Sequence, residues 1–218
     1  GKEYIVKTIV TTETIKTIAE RNGVEIYDVY TGFKWIANVM RENEGKKNYI
    51  GGGEESYGFL CEDFVRDKDA VSACVILAEI AAWAKDQGLS LYQLLQKIYV
   101  EYGFSKEKGI SVVKKGKSGA EEIEAMMKKF RENPLTEIAG SKVTYFYDYS
   151  TLKGKDYAEN ETVTLDMPTT SNVLQYFTED NTKVSIRPSG TEPKIKFYCE
   201  VHSKVKSIDE LPEAEKAA

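Results

Sequence analysis

The chain has 218 residues, a net charge of -5, 41% apolar and 30% charged side chains, enough to bury one large core or two small ones without disulfide staples. That acidic balance, with no Lys/Arg-rich patch, argues against a nucleic-acid partner, and the longest apolar run, AVSACVILAEIAAWA, carries Glu79 and falls short of a membrane span. His202 is the single histidine, which leaves no basis for a histidine metal site or a Ser–His triad, and the scattered Cys61, Cys74 and Cys199 fit neither a disulfide framework nor a zinc spacing, so a reducing, cytoplasmic setting is expected.

The first segment alternates strand and helix. EYIVKTIVTT (3–12) reads as a strand, and TETIKTIAERNG as a short helix with Ile15, Ile18 and Ala19 on one face and Gly23 as its stop. VEIYDVY is a second strand, and FKWIANVMRENEG a helix burying Trp35, Ile36, Val39 and Met40; the glycine-rich YIGGGEESYGFL comes next. DAVSACVILAEIAAWAKDQG is apolar nearly all round and is expected to be buried between layers. In SLYQLLQKIYVEYG, Ser90 and Gln93 form a capping box ahead of the stripe Leu91, Leu94, Leu95 and Ile98. This alternation implies an α/β layer on a largely parallel sheet.

The polar, Lys-rich stretch 105–118 is expected to link residues 1–104 to a second domain, 119–218. Ser118 and Glu121 suggest another capping box. The helix behind it carries Ile123, Met126, Met127 and Phe130 at helical spacing and ends at Asn133-Pro134. The rest reads as antiparallel: KVTYFYDY, a long polar stretch with a short strand at TVTL, NVLQYFT, a turn at EDNT, KVSIRP and KIKFYCEV, then the start of a helix in SIDELPEAEKAA. The fold class is thus α/β: a mixed-sheet α/β/α domain, then a small α+β domain with an antiparallel sheet. Gly1 in place of an initiator Met, and a last helix without a cap, suggest a piece of a longer protein.

Four stretches can carry chemistry. In RPSGTEP, Arg187 offers a planar fork to a phosphate, Ser189 and Thr191 offer hydroxyls, Gly190 permits the positive φ of an anion nest, and Lys194 and Lys196 add positive potential; the alternative is a plain hairpin. In GGGEESYG, three glycines allow close backbone approach, and Glu54, Glu55 and Ser56 present groups suited to sugar hydroxyls, or simply a solvated turn. In TGFKWI, Lys34 stands in a first helical turn, where a cation opposes the helix dipole, so it is either a surface lysine or a partner for an anionic ligand at that helix end. In RDKDA, Asp67 and Asp69 favour a helix start, with Arg66 and Lys68 able to pair with them.

In this order and spacing, TGFKWI, GGGEESYGFL, RDKDAV and RPSGTEPKIKFY resemble the third and fourth domains of the α-D-phosphohexomutases, the phosphoglucomutase/phosphomannomutase superfamily, and within it the long bacterial α-phosphoglucomutases. The resemblance covers nearly the whole chain. It implies that Glu54 and Ser56 hydrogen-bond the sugar hydroxyls, and that Arg187, Ser189, Gly190 and Thr191 hold the phosphate that is not reacting. Thr31, Gly32 and Lys34 would form a loop at the active site, with Lys34 as a ligand contact or proton-transfer group, while Arg66 and Lys68 line the cleft. It implies a phosphoserine in a first domain and a Mg²⁺ loop in a second, and neither motif exists in this chain. The expected activity is interconversion of hexose 1-phosphate and hexose 6-phosphate through glucose 1,6-bisphosphate or its analogue. These residues would supply the substrate-binding half and be inactive alone, with the two N-terminal domains as partners. The alternatives are a standalone sugar-phosphate-binding module and a fragment of a phosphopentomutase.

Overall fold

A computed structural model describes residues 1–218 except 115 and 191. The chain forms two compact units, residues 1–104 with 204–217, and residues 105–203.

The first unit opens with β1 (Glu3–Thr8), α1 (Glu13–Arg21), β2 (Glu25–Val29), α2 (Phe33–Asn43), β3 (Asn48–Gly53) and β4 (Phe59–Cys61). The strands form one sheet in the order β2-β1-β3-β4, with β1 parallel to both β2 and β3, and β4 antiparallel to β3. Alternation along β1 sends Tyr4 and Val6 to one face, where α2 covers them with Phe33, Ile36 and Met40. Ile5 faces the other way and lines an open apolar cavity of about 410 Å³ with Ile15 of α1 and Ile50 of β3. The glycine run read as a loop is therefore strand, and Gly52 is required there by β1: a Cβ would sit 2.3 Å from the Val6 carbonyl oxygen and 2.7 Å from the Tyr49 hydroxyl. Close packing of two strands, rather than approach of a ligand, explains that glycine.

α3 (Ala70–Asp86) and α4 (Leu91–Tyr102) follow. The Ser90–Gln93 capping box is present in full. α3 departs from expectation. It packs mainly on β4 and α4, and most of its apolar surface stays open, with Val71 74% and Trp83 55% exposed. Trp35 of α2 is half-buried against Tyr30. The C-terminal residues return to this unit: a 3₁₀ turn at Ile208–Glu210 leads into the last helix, Leu211–Ala217, and Val205 and Leu211 are buried with Phe104 against Tyr99 and Val100 of α4.

The second unit contains β5 (Phe104–Val113), α5 (Gly116–Glu132), β6 (Glu137–Ile138), β7 (Ser141–Asp148), β8 (Lys153–Asp156), β9 (Glu161–Thr164), β10 (Leu174–Thr178), β11 (Lys183–Pro188) and β12 (Lys194–Ser203); the last helix of the chain is α6. The sheet order is β5-β12-β11-β10-β7-β8-β9, with β6 paired to β7. Residues 105–118, expected as linker, hold strand β5 and the start of α5, so Ser118 lies inside the helix and does not cap it. The predicted stripe holds: Ile123 and Met127 are buried on Leu174, Tyr176, Ile186 and Ile195, with Met126 and Phe130 alongside. Among the described residues no helix is long and apolar enough to cross a membrane.

Candidate functional site

In the first unit, three parallel strands deliver three loops to one edge: residues 9–12 after β1, 30–32 after β2 and 54–58 after β3. The carboxyl ends of parallel strands are where open α/β sheets place their ligands. Two side-chain hydrogen bonds tie these loops together. The Gly32 amide donates to Glu54 Oε1 at 2.7 Å, and the Thr8 hydroxyl donates to Glu55 Oε2 at 3.1 Å. Gly32, with φ of 112°, is the N-cap of α2 and has no side chain to cap it, so the Glu54 carboxylate supplies an acceptor at that helix end. The 54–58 loop is closed by the Glu54 amide on the Gly58 carbonyl at 2.7 Å, leaving Ser56 exposed.

Lys68 lies 5.5 Å above the Phe33 ring. Its alkyl chain and the Glu54 carboxylate converge on Gly58, where a Cβ would fall 2.9 Å from Lys68 Cδ and 3.0 Å from Glu54 Oε2. Gly32, Glu54 and Lys68 are therefore brought together, with Thr31 half-buried beside Gly32. Lys34 is in the first turn of α2 as expected, exposed and 5.0 Å from the Trp35 ring. It joins Arg66 in a separate groove of about 550 Å³ with Asn38, Arg41 and Glu44. Arg66 pairs with Glu44 at 3.0 Å, and Asp69 caps α3 by accepting the Ser72 amide at 2.8 Å; the Ser72 side chain and then its amide hold the Asp69 carboxyl below the usual range.

Sequence reading missed the support under these loops. Lys7, fully buried, contacts Asp28 at 2.7 Å and Glu13 at 3.0 Å, fastening the end of β2 and the start of α1 to β1. Burial opposes its charge, but Asp28 and Glu13 outweigh that and raise its pKa above the ordinary lysine value. Thr8 bonds Thr11 at 2.8 Å as well as Glu55. Burial pushes Tyr30, next to the Gly32 loop, up to about 12.

In the second unit the RPSGTEP hairpin joins β11 to β12. Arg187 lies directly opposite Lys196 in the strand register, and among the described residues neither cation pairs with a carboxylate. Like charges in that position repel. Lys194, by contrast, pairs with Glu192 at 3.1 Å. The Ser189 amide donates to the Lys194 carbonyl at 2.7 Å, setting Ser189 at the hairpin neck. Gly190 does not take the expected positive φ and has open space where a Cβ would stand. Thr191 lies outside the described residues.

Behind Arg187 on the same sheet face is a buried polar row. Gln175 donates to the Ser185 hydroxyl at 2.8 Å and accepts from Tyr149 at 2.6 Å, and the next row holds a Lys183–Glu200 pair at 3.0 Å. Strand alternation held the signal for this row, since Lys183 and Ser185 share the phase of Arg187.

Two family descriptions match the chain: phosphoglucomutase/phosphomannomutase, alpha/beta/alpha domain III, over residues 1–102, and phosphoglucomutase/phosphomannomutase, C-terminal domain, over residues 111–218. A phosphoglucomutase of Staphylococcus haemolyticus is 36% identical over 198 residues, covering 91% of this chain and 36% of that protein. One of Staphylococcus aureus is 40% identical over 194 residues, covering 89% and 35%. The chain thus spans about a third of the length of the curated relatives it matches. Among solved structures, the open form of Paramecium parafusin aligns with a TM-score of 0.62 at 18% identity, over 93% of this chain and 33% of that one. A phosphoglucomutase/phosphomannomutase family protein of Burkholderia thailandensis aligns at 0.54 and 14%, over 98% and 36%. These two likenesses speak to the fold.

Proposed function

The chain belongs to the phosphoglucomutase/phosphomannomutase family, carrying its domain III and its C-terminal domain, and on that premise we propose that its two units are the substrate-binding half of an enzyme interconverting hexose 1-phosphate and hexose 6-phosphate. The observation that supports this most is Arg187 facing Lys196 across β11 and β12. Two cations held opposite each other are stabilised by a dianion between or above them, and the Arg187 fork matches phosphate oxygens. Ser189 and Thr191 add hydroxyl donors to that anchor. The Glu54 and Ser56 loop accepts and donates hydrogen bonds to sugar hydroxyls, with Gly32, Thr31 and Lys68 around it. Lys34 and Arg66 contribute positive charge from the neighbouring groove.

In this reading a phosphoserine transfers its phosphoryl group to the free hydroxyl of a sugar monophosphate. Glucose 1,6-bisphosphate results, turns over, and returns its other phosphoryl group to the serine. The anchor grips whichever phosphate is not reacting, and its part in catalysis is positioning and charge neutralisation. Among the described residues no three His, Cys, Asp or Glu side chains gather at a metal site. In this reading the Mg²⁺ and the phosphoserine that the resemblance implies are supplied by domains outside these 218 residues. A cytoplasmic setting accords with the free thiols Cys61, Cys74 and Cys199.

Calorimetric titration with glucose 1,6-bisphosphate, with Arg187→Ala as control, tests the reading. Saturable binding that the variant loses supports it; no binding by a folded chain overturns a preformed anchor.

A further inference from the structure

We propose that Thr8 is a positioning residue for the sugar-binding loop and acts through Glu55. The effect on ligand rests on the sugar-phosphate reading above; the latch itself does not. Thr8 is the last residue of β1 and is fully buried. A buried hydroxyl is committed to its partners, because losing one costs more than an exposed bond would. Its oxygen has two described contacts: Thr11 Oγ1 at 2.8 Å, in the loop after β1, and Glu55 Oε2 at 3.1 Å, in the loop after β3. With Thr8 donating to Glu55, the Thr11 hydroxyl is left as the donor to Thr8, so the two bonds run in one direction toward the carboxylate.

Glu55 itself points down to the strand end, while its neighbours point elsewhere: Glu54 reaches Gly32, and Ser56 faces solvent. The backbone across these three residues is closed by the Glu54–Gly58 bond. Fixing the middle carboxylate therefore fixes the direction of the two groups that address the sugar. Without the Thr8 bond, Glu55 gains water by swinging outward, and the loop loses the contact that draws it over β1. Such a loop still binds phosphate through the separate RPSGTEP hairpin, but it meets the sugar with unfixed groups.

The test combines amide hydrogen exchange on the 218-residue chain with titrations of glucose 1-phosphate and inorganic phosphate. The proteins are wild type, Thr8→Val, Thr8→Ser, Glu55→Ala and the double variant Thr8→Val/Glu55→Ala. Thr8→Val is expected to speed exchange at the Glu54 and Gly32 amides by roughly fivefold to tenfold, the size of one lost hydrogen bond, while amides inside α2 keep their rates. Thr8→Ser restores the wild-type rates. Glu55→Ala gives the same local effect, and the double variant adds nothing further. Glucose 1-phosphate binding weakens by a similar factor, and inorganic phosphate binding stays as it was.

Unchanged exchange at Glu54 and Gly32 in both single variants overturns the proposal. So does faster exchange throughout the first unit in both, which is the mark of a purely structural contact, or additive effects in the double variant. If wild type binds neither ligand, the sugar-phosphate reading fails, and the exchange rates still decide whether the latch exists.

Discussion

The Glu54 carboxylate accepts the Gly32 amide at 2.7 Å, so the side chain proposed for sugar recognition also completes the N-terminus of α2. One oxygen is occupied by the fold and the other lies over Gly58, 3.0 Å from where a Cβ would stand. Fold and recognition are thus combined in one side chain, and substitutions can separate them.

Glu54→Gln keeps an acceptor for the Gly32 amide and removes the charge. It is expected to leave urea stability nearly unchanged, to weaken glucose 1-phosphate binding by about tenfold, a lost charged hydrogen bond, and to spare inorganic phosphate. Glu54→Ala also removes the acceptor and is expected to cost about 1 kcal/mol, as loss of a helix cap does. Equal loss of both ligands in Glu54→Gln would show that the loop acts through folding alone.

Lys196→Ala is expected to weaken glucose 1,6-bisphosphate binding by about tenfold while leaving the chain as stable as before or slightly more so, because it removes the repulsion with Arg187. Arg187→Lys keeps the charge but not the fork and is expected to bind more weakly than wild type. Calorimetry at two salt concentrations checks both. Full affinity in Lys196→Ala would confine the anchor to the hairpin loop.

The two buried lysines are expected to differ. Lys183→Met takes the Lys183 cation away from Glu200, whose side chain is 4% exposed, and should cost about 3–5 kcal/mol. Lys7→Met leaves Glu13 and Asp28, 33% and 35% exposed and able to take up water, and should cost less, about 2 kcal/mol. Urea unfolding of the two variants gives the order directly; equal costs would mean that the bond from the Ser105 hydroxyl to Glu200 and its surroundings compensate for the lost cation.

What could be read from the sequence follows from which force set each element. The α2 and α5 stripes show a clear apolar period, and the structure buries them as expected. The RPSGTEP hairpin was legible from the alternation on either side. β3 was not, because its glycines carry no alternation, and it exists only because β1 and β4 run beside it. β5 was hidden by the lysines and glutamates along it. α3 misled in the opposite way, since composition records how apolar a helix is and not how much surface its neighbours cover. At the site, Glu54 stood out by type, whereas Thr8 and Lys7 could be identified only once β1, β2 and β3 were seen to end at one edge.

Stability is expected to fall in alkali. Tyr30 has its pKa raised by burial to about 12, and Asp28 and Glu13 raise that of Lys7 against the effect of burial. Both folded values lie above the unfolded ones, about 10 for both residue types. Their contributions are therefore complete below about pH 10 and are lost as pH rises through the folded values. Unfolding midpoints measured from neutral pH upward should hold steady to about pH 10 and then decline; a decline beginning near neutrality would point to other groups.

Gly52→Ala and Gly190→Ala make a contrasting pair. The first drives a methyl against the Val6 carbonyl oxygen at 2.3 Å and should cost about 3 kcal/mol, at the upper end for overpacking. The second meets nothing and requires no positive φ, so thermal stability should hold. Loss of phosphate affinity in Gly190→Ala at constant stability would mean that the hairpin rearranges around its ligand.

Both tryptophans, Trp35 and Trp83, fall within the first unit, and the second absorbs in the near ultraviolet through tyrosine and phenylalanine alone. Selective tryptophan emission is thus a spectroscopic label already built into one half of the molecule. Trp35, against Tyr30, sits close to Gly32, which the 54–58 loop engages through Glu54, and Trp83 looks out from α3. Denaturation followed at once by tryptophan emission and by far-ultraviolet dichroism tells whether the two halves melt together or in turn, with no dye attached and no residue changed.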